Sequence, residues 1–282
     1  MRAECYFCHL KTVQKLIEKY KPDKETEENL IYDFHNQLSG NWDIKNPELA
    51  TKLHRIAKNN LKNHDLYALE KKITNDTIMN NYNNWLNVIQ QSADPFRTAA
   101  RLAVVGNIID YGAHSLNGDL NNQIFSLLSR DLKIDHTDLL KKSLENASSV
   151  LYLGDNAGEI VFDRLFIETM QHNNITFVTR GMPVINDVVL NDARQIGLDK
   201  ICKVISNGYD APSTLTEFCS EEFLEVYLNS DLIISKGQGN FEGLMNKNHQ
   251  NIFFMLIAKC NPMAELLKVN KNDMVIIKPE KN

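Results

Sequence analysis

From Ser148 onward the chain alternates short apolar runs with amphipathic segments, and few folds accept that rhythm. The runs Ser148–Leu153, Ile175–Val178, Ile201–Ile205, Asp231–Ser235, Ile252–Ile257 and Met274–Ile277 are strand-length and almost wholly apolar. Between them, the stretches 158–171, 186–195 and 221–228 suit helices. The last of these opens on Ser220 as a cap, with Glu221 and Glu222 in its first turn. Strands without polar alternation are buried on both faces, and the intervening helices supply the cover. The spacing therefore predicts an α/β fold with a largely parallel sheet and helices on both faces.

The first half of the chain reads as helices. Leu10, Val13, Leu16 and Ile17 form one apolar face, Leu30, Ile31, Phe34 and Leu38 a second, and Leu49, Leu53, Ile56, Ala57 and Leu61 a third. A fourth helical stretch runs from about Asp65 to Gln90, through the Asn-rich patch from Asn80 to Asn87. Asp94-Pro95 then starts a helix whose residues Phe96 to Ile109 leave almost no polar face, so it is expected to be buried on nearly every side. Asn107 and Asp110 stand at its far end on one face, where they either line a cleft or only terminate the helix. No Pro- or Gly-rich linker separates the halves. A helical region over 1–146 is thus expected to pack on an α/β domain over 147–282, with a cleft between them.

Composition excludes some functions. A net charge of −5 supplies no electrostatic attraction for nucleic acid or an anionic membrane, so any phosphate site must be a local concentration of cations. No run is long enough to span a bilayer, and the first residues lack the apolar core of a signal peptide, which points to the cytoplasm. Five cysteines, an odd number, argue against a disulfide framework. Cys5-x-x-Cys8-His9 matches a haem-attachment pattern in letters only, since that chemistry normally requires export. A structural metal site or redox pair at Cys5 and Cys8, with Cys260, is one reading; packing of a terminal helix is the other.

The chemistry is expected where the strands end. Leu151-Tyr-Leu-Gly-Asp-Asn-Ala-Gly-Glu159 reads as strand, turn and helix, placing Asp155 and Asn156 at a strand's carboxyl end, where open parallel sheets bind ligands. Adjacent Asp and Asn offer hard oxygen donors that suit magnesium or manganese. Taken alone the pair is equally a helix cap and turn. Other strand ends add Thr179-Arg180-Gly181 leading to Asp187, the Gly-rich Ser235-Lys236-Gly237-Gln238-Gly239-Asn240, and Lys259-Cys260-Asn261-Pro262. Carboxylates and a carboxamide for a divalent cation, with lysines and a backbone nest for phosphate, fit metal-assisted phosphoryl transfer. The glycines match neither the dinucleotide fingerprint nor a Walker loop.

Six segments together resemble the ARMT-like damage-control phosphatases, in their short archaeal and bacterial form. They are Cys5-Tyr-Phe-Cys8, Gly106-Asn-Ile-Ile-Asp-Tyr-Gly112, Leu153-Gly-Asp-Asn-Ala-Gly-Glu159, Val184-Ile-Asn-Asp187, Ser235-Lys-Gly-Gln-Gly-Asn-Phe-Glu242 and Ala258-Lys-Cys260. The resemblance implies a metal-dependent phosphatase acting on a small phosphorylated metabolite, with a helical N-terminal region packed on a Rossmannoid domain. By that resemblance Asp155, Asn156 and Asp187 hold a divalent cation (manganese, magnesium, nickel or cobalt), and Asp155, Asp187 and Lys236 act in catalysis. Asn107, Asp110, Glu159, Lys236, Gly237, Asn240 and Lys259 would meet the substrate. Longer eukaryotic relatives carry an acidic residue after Lys-Gly and an Arg-Thr before the second lysine. Here Gln238 and Leu256-Ile257 stand in those places, so a sugar-phosphate preference does not carry over. Two alternatives remain: a carboxyl methyltransferase using S-adenosylmethionine, and a non-catalytic sensor of a phosphorylated metabolite.

Overall fold

The computed structural model describes residues 2–108, 120–247, 249 and 251–280, and among these seven strands form one sheet. They are β1 (Ile134–Asp135), β2 (Val150–Leu153), β3 (Ile175–Thr179), β4 (Lys203–Ser206), β5 (Leu232–Lys236), β6 (Ile252–Ile257) and β7 (Met274–Ile277). Their order is β1-β7-β6-β5-β2-β3-β4, parallel at every pairing except β6 with β7. Every residue of β2, β3, β5 and β6 is buried, as unbroken apolar runs require.

Two features of the sheet depart from the sequence reading. β7 returns antiparallel after a helical segment over Asn261–Leu267, and the pairing with β6 continues past the strand ends, from Ala258 N–H to Asp273 O and from Asn272 N–H to Ala258 O. β1 comes from inside the stretch expected to be helical; two residues are too few to register as an apolar run, and they simply extend the edge beside β7.

Helices α1 (Ala3–Tyr20), α2 (Lys24–Ser39) and α3 (Asn46–Asn60) share an apolar cluster built on Leu16, Leu30, Phe34, Leu49 and Leu53. The fourth expected helix is two, α4 (Ala68–Met79) and α5 (Tyr82–Gln90), broken at Asn80-Asn81, where consecutive asparagines support a helix poorly. α6 (Pro95–Val105) is capped by Asp94, whose carboxylate accepts from Arg97 N–H at 3.0 Å. Its residues Ala99, Ala100 and Leu102 through Val105 are fully buried.

Then follow α7 (Leu120–Leu128), α8 (Thr137–Glu145), α9 (Glu159–Met170), α10 (Leu190–Gln195), α11 (Glu221–Asn229), α12 (Gly237–Leu244) and α13 (Asn261–Leu267). α6 lies chiefly against α9 and reaches β6 and β7, which is why it has no polar face. Aromatic contacts fill the seam: Trp85 meets Phe162 at 5.5 Å and Phe96 meets Phe166 at 5.3 Å between ring centroids. Among the described residues no helix is long and apolar enough to cross a membrane.

The chain order reverses between β2 and β5. From β2 it runs outward to β3 and β4, then returns to β5 and β6 on the other side. The register pairs Leu153 with both Val178 and Ser235, so the turns after β2, β3 and β5 rise together at one edge.

The helical half grips that edge directly. Asn75 of α4 accepts from Gly158 N–H at 2.6 Å, Lys71 meets Asp192 at 3.2 Å, and His54 of α3 accepts from Ile185 N–H at 3.2 Å. Lys58 donates to Pro183 O at 2.9 Å, and Arg55 pairs with Asp210. Gly158 caps α9 with a left-handed φ of +78°, and the buried Asn75 satisfies its N–H. Asn75→Ala is expected to lower the unfolding free energy by about 1–3 kcal/mol, the cost of an unpaired buried N–H, as read by urea titration. An unchanged midpoint would refute that account.

Candidate metal and phosphate site

Asp155 and Asn156 follow β2 directly, and Asp187 arrives on the extended segment after β3. The expected helix from Asn186 begins only at Leu190, because Val188 N–H bonds Asp155 O at 2.8 Å and Arg180 N–H bonds Val188 O at 2.9 Å. These bonds spend the backbone on bridging two strand ends, with Asn156 and Asp187 paired as an isolated antiparallel bridge. The three expected cation ligands thereby meet, at 7%, 7% and 3% exposure for Asp155, Asn156 and Asp187. Ile185, two residues before Asp187, has a φ of +46°. A β-branched residue in that region is strained. Burial among α1–α3 and the His54 bond hold it there. Burial, and to a lesser degree Lys58, pushes the His54 pKa down to about 4, which leaves the ring neutral and able to accept.

Beneath these residues lies a buried polar network. Asn107, just past α6, donates to Asp155 Oδ2 at 2.9 Å and to Glu159 Oε2 at 2.7 Å. Asn156 Nδ2 donates to the same two oxygens, at 2.7 and 3.2 Å. Those bonds turn both amide nitrogens inward. Asn107 Oδ1 is left buried with no partner among the described residues. Glu159 Oε1 accepts from Lys236 Nζ at 2.5 Å, and the same ammonium bonds Asp163 Oδ1 at 2.5 Å and Ala103 O at 2.8 Å.

Several sequence assignments are therefore revised. Lys236 was expected at the phosphate, but its side chain has no exposed surface and its charge is spent on Glu159 and Asp163. Glu159 is equally sealed and serves Lys236, Asn107 and Asn156. Asn240 is fully bonded. Its Nδ2 donates to Gly154 O at 3.1 Å and Lys236 O at 2.8 Å, while its Oδ1 accepts from Arg180 and Thr214, both at 2.9 Å. No amide capacity remains for a phosphate oxygen. All three side chains are turned to protein partners in this structure. Asp110 lies outside the described residues.

Gly237 and Lys259 both stand close to Asp155. Gly237 opens α12 with a φ of +79°, and a Cβ there would lie 1.8 Å from Asp155 Oδ2. Only glycine lets the first turn of α12, whose N–H groups have no intrahelical acceptors, sit against the carboxylate. Lys259 is half-buried and close enough to Asp155 to favour its ionised form.

Arg180, noted in the sequence only as a polar strand end, proves central. Its Nε donates to Asp187 Oδ2 at 2.6 Å, Nη2 to Asp155 Oδ1 at 3.4 Å, and Nη1 to Asn240 Oδ1 at 2.9 Å. Sequence reasoning missed Asp163 as well, because its position suited the polar side of an amphipathic helix, and nothing in the sequence singled out His54 or Asn75.

Burial, the Asp187 charge and then Glu159 push the Asp155 pKa up to about 8, against the pull of Arg180 and Lys259. Burial also raises Asp187. Two like charges this close titrate as a pair. Among the described residues no group of three or more His, Cys, Asp or Glu side chains is arranged to hold a metal ion. The set present is two carboxylates and a carboxamide, and its chemistry fits a small hard dication. A cation there would answer both the repulsion between Asp155 and Asp187 and the orphaned Asn107 oxygen. At the rim, α1 docks on α13 through Glu4 and Asn261 at 3.0 Å. Burial raises the Cys5 thiol, with Glu242, Cys260 and Cys8 adding to the shift, and all five cysteines are free thiols.

The model of the damage-control phosphatase ARMT1-like domain matches residues 1–275. The chain belongs to this family. An uncharacterized protein of Methanocaldococcus jannaschii is 32% identical, over 99% of this chain and 95% of its own. Damage-control phosphatases of Pyrococcus horikoshii and Archaeoglobus fulgidus are 38% and 34% identical, the first over 65% of each chain and the second over 82% of this chain and 81% of its own. A crystal structure of a DUF89 family protein from Pyrococcus horikoshii superposes with a TM-score of 0.87 over 99% of both chains, at 29% identity. The ARMT1-like fold thus covers the helical half and the sheet together.

The raised carboxyl carries a pH signature in chelated protein. Asp155 holds its proton up to about pH 8 when folded but only to about pH 4 when unfolded. Its contribution to stability is therefore complete below about pH 4 and is lost as pH rises through about 8. Asp155→Asn, which is never charged, is expected to gain several degrees in Tm relative to the wild type between about pH 5 and pH 8. A difference that stays flat across that range would contradict the shift.

Proposed function

We propose that this ARMT1-like protein is a metal-dependent phosphatase that hydrolyses a small phosphorylated metabolite, in line with the damage-control phosphatases it is similar to. The observation that carries the reading is the meeting of Asp155, Asn156 and Asp187 at the reversal point of the sheet, beside the first turn of α12 and Lys259. Ligands of open α/β sheets bind there.

Asp155, Asp187 and the carboxamide oxygen of Asn156 would hold the cation, its choice lying among manganese, magnesium, nickel and cobalt. When bound it polarises the phosphoryl oxygens and offsets their charge. The protein's own part is positioning and electrostatics, which dominate phosphoryl transfer. Asn107 and Asn156 fix the Asp155 carboxylate by donating to one of its oxygens. Lys259 and the free N–H groups that open α12 stabilise charge spreading over the phosphoryl oxygens. Asp155 or Asp187 aims the attacking oxygen at phosphorus, as a base on water or as the nucleophile itself. Enclosure by α6 and the helical half restricts water and strengthens each of these interactions.

The test is hydrolysis of a generic phosphomonoester and a panel of sugar phosphates by chelator-stripped protein, with each metal restored in turn. Activity is expected to return with metal and to fall by at least about 10²-fold in Asp155→Ala. Lys259→Ala is expected to weaken substrate binding as well as turnover. Metal binding identical in wild type and Asp155→Ala, with no turnover on any ester, would overturn the proposal. Binding of S-adenosylmethionine in that event would favour the methyltransferase.

A further inference from the structure

The guanidinium of Arg180 spans the two carboxylates that the proposed function gives to a cation. It takes one oxygen from each, Asp187 Oδ2 at 2.6 Å and Asp155 Oδ1 at 3.4 Å. A guanidinium does not lose its proton in proteins, so this charge is permanent. The side chain is 2% exposed, and its far edge is fastened by Asn240 Oδ1 at 2.9 Å and Thr214 Oγ1 at 3.4 Å. Asn240 is itself tied to Gly154 O and Lys236 O, the last residues before the two turns that form the site. Arg180 has nowhere to swing without leaving a buried charge unpaired, a loss of several kcal/mol.

Phosphoryl-transfer centres commonly use two dications about 3.5–4 Å apart, bridged by carboxylates. In this protein a second dication would need the oxygens Arg180 already holds, and would sit against a fixed positive charge in a poorly screened interior. Lys236 adds no net charge, being matched by Glu159 and Asp163, and Lys259 brings a further positive charge beside Asp155. The wall opposite is closed too, because the backbone of Gly237 lies against Asp155 Oδ2. The donors left over, the carboxamide oxygens of Asn156 and Asn107 and the remaining carboxylate valence, suffice for a single ion.

We infer that Arg180 serves as a resident second cation that makes the centre mononuclear. The inference rests on the metal-dependent reading above, and it assigns Arg180 a positioning role toward the carboxylates, with no contact to the reacting atoms required. It also accounts for the charge balance. One dication and one guanidinium against two carboxylates leave a net positive site, which suits a phosphate dianion.

The test is manganese binding to the full chain after chelator stripping, by equilibrium dialysis and electron paramagnetic resonance. Manganese is a suitable probe because it prefers oxygen donors to the thiols at the rim. Wild type and Arg180→Lys are expected to bind a single ion with the six-line spectrum of an isolated centre. Arg180→Met, close in length but uncharged, is expected to take up a second ion and to show the spectrum of an exchange-coupled pair. Arg180→Gln is expected to do the same and replaces it if the methionine variant does not fold. An exchange-coupled pair in wild type overturns the inference at once, as does a folded Arg180→Met or Arg180→Gln that still binds a single isolated ion. No manganese bound by wild type would instead remove the metal-dependent reading on which the inference stands.

Discussion

The ammonium of Lys236 sits with no exposed surface at the end of β5, and the groups that satisfy it organise the rest of the site. A lone buried ammonium would shed its proton or unfold its surroundings. Glu159 and Asp163 prevent that. They stand four residues apart on one face of α9, and the α6 carbonyl of Ala103 fills the third position. Tyr152, from the middle of β2, closes the lower end by donating to Asp163 at 2.7 Å. With one oxygen held by Lys236, Glu159 offers the other to Asn107 and Asn156, and their amides in turn orient Asp155. The carboxylate at the surface of the site is thus aimed by a charge two residue-lengths below it.

This arrangement sets up a site that is electrostatically expensive before any ligand arrives. Asp155 and Asp187 are brought together by backbone pairing; burial raises both carboxyls, with the Asp187 charge adding at Asp155 and the Glu159 charge at Asp187, against the pull of Arg180. The strain is matched in the backbone by Ile185 and by the approach of Gly237. The unpaired buried oxygen at Asn107 and the crowded carboxylates are the features on which the proposed cation site rests.

How much of this was legible in the sequence depended on which physical rule each residue obeyed. The strands were legible because β2, β3, β5 and β6 are buried on both faces and so carry no polar alternation. Asp155, Asn156, Asp187 and Gly237 could be placed because strand ends in such a sheet share one edge. The directions of Lys236 and Asn240 were not legible: a polar residue at a strand end points either into the mouth or back beneath it, and partners remote in sequence decide which. Asp163 looked like the polar face of α9, since helical spacing does not distinguish a solvated carboxylate from one that neutralises a buried lysine. The break between α4 and α5 followed from local propensity, whereas β1 is explained only by the edge it completes.

The bond from Ile185 N–H to His54 has a consequence for modularity. A Rossmannoid sheet is often treated as a portable platform on which accessory helices are decoration. In this protein the left-handed turn before Asp187 exists only because a ring from α3 and a pocket among α1–α3 receive it. Transplanted without those helices, the segment after β3 would relax to ordinary extended backbone and carry the Asp187 carboxylate away from Asp155. The packing of the first three helices therefore bears directly on where the Asp187 carboxylate stands.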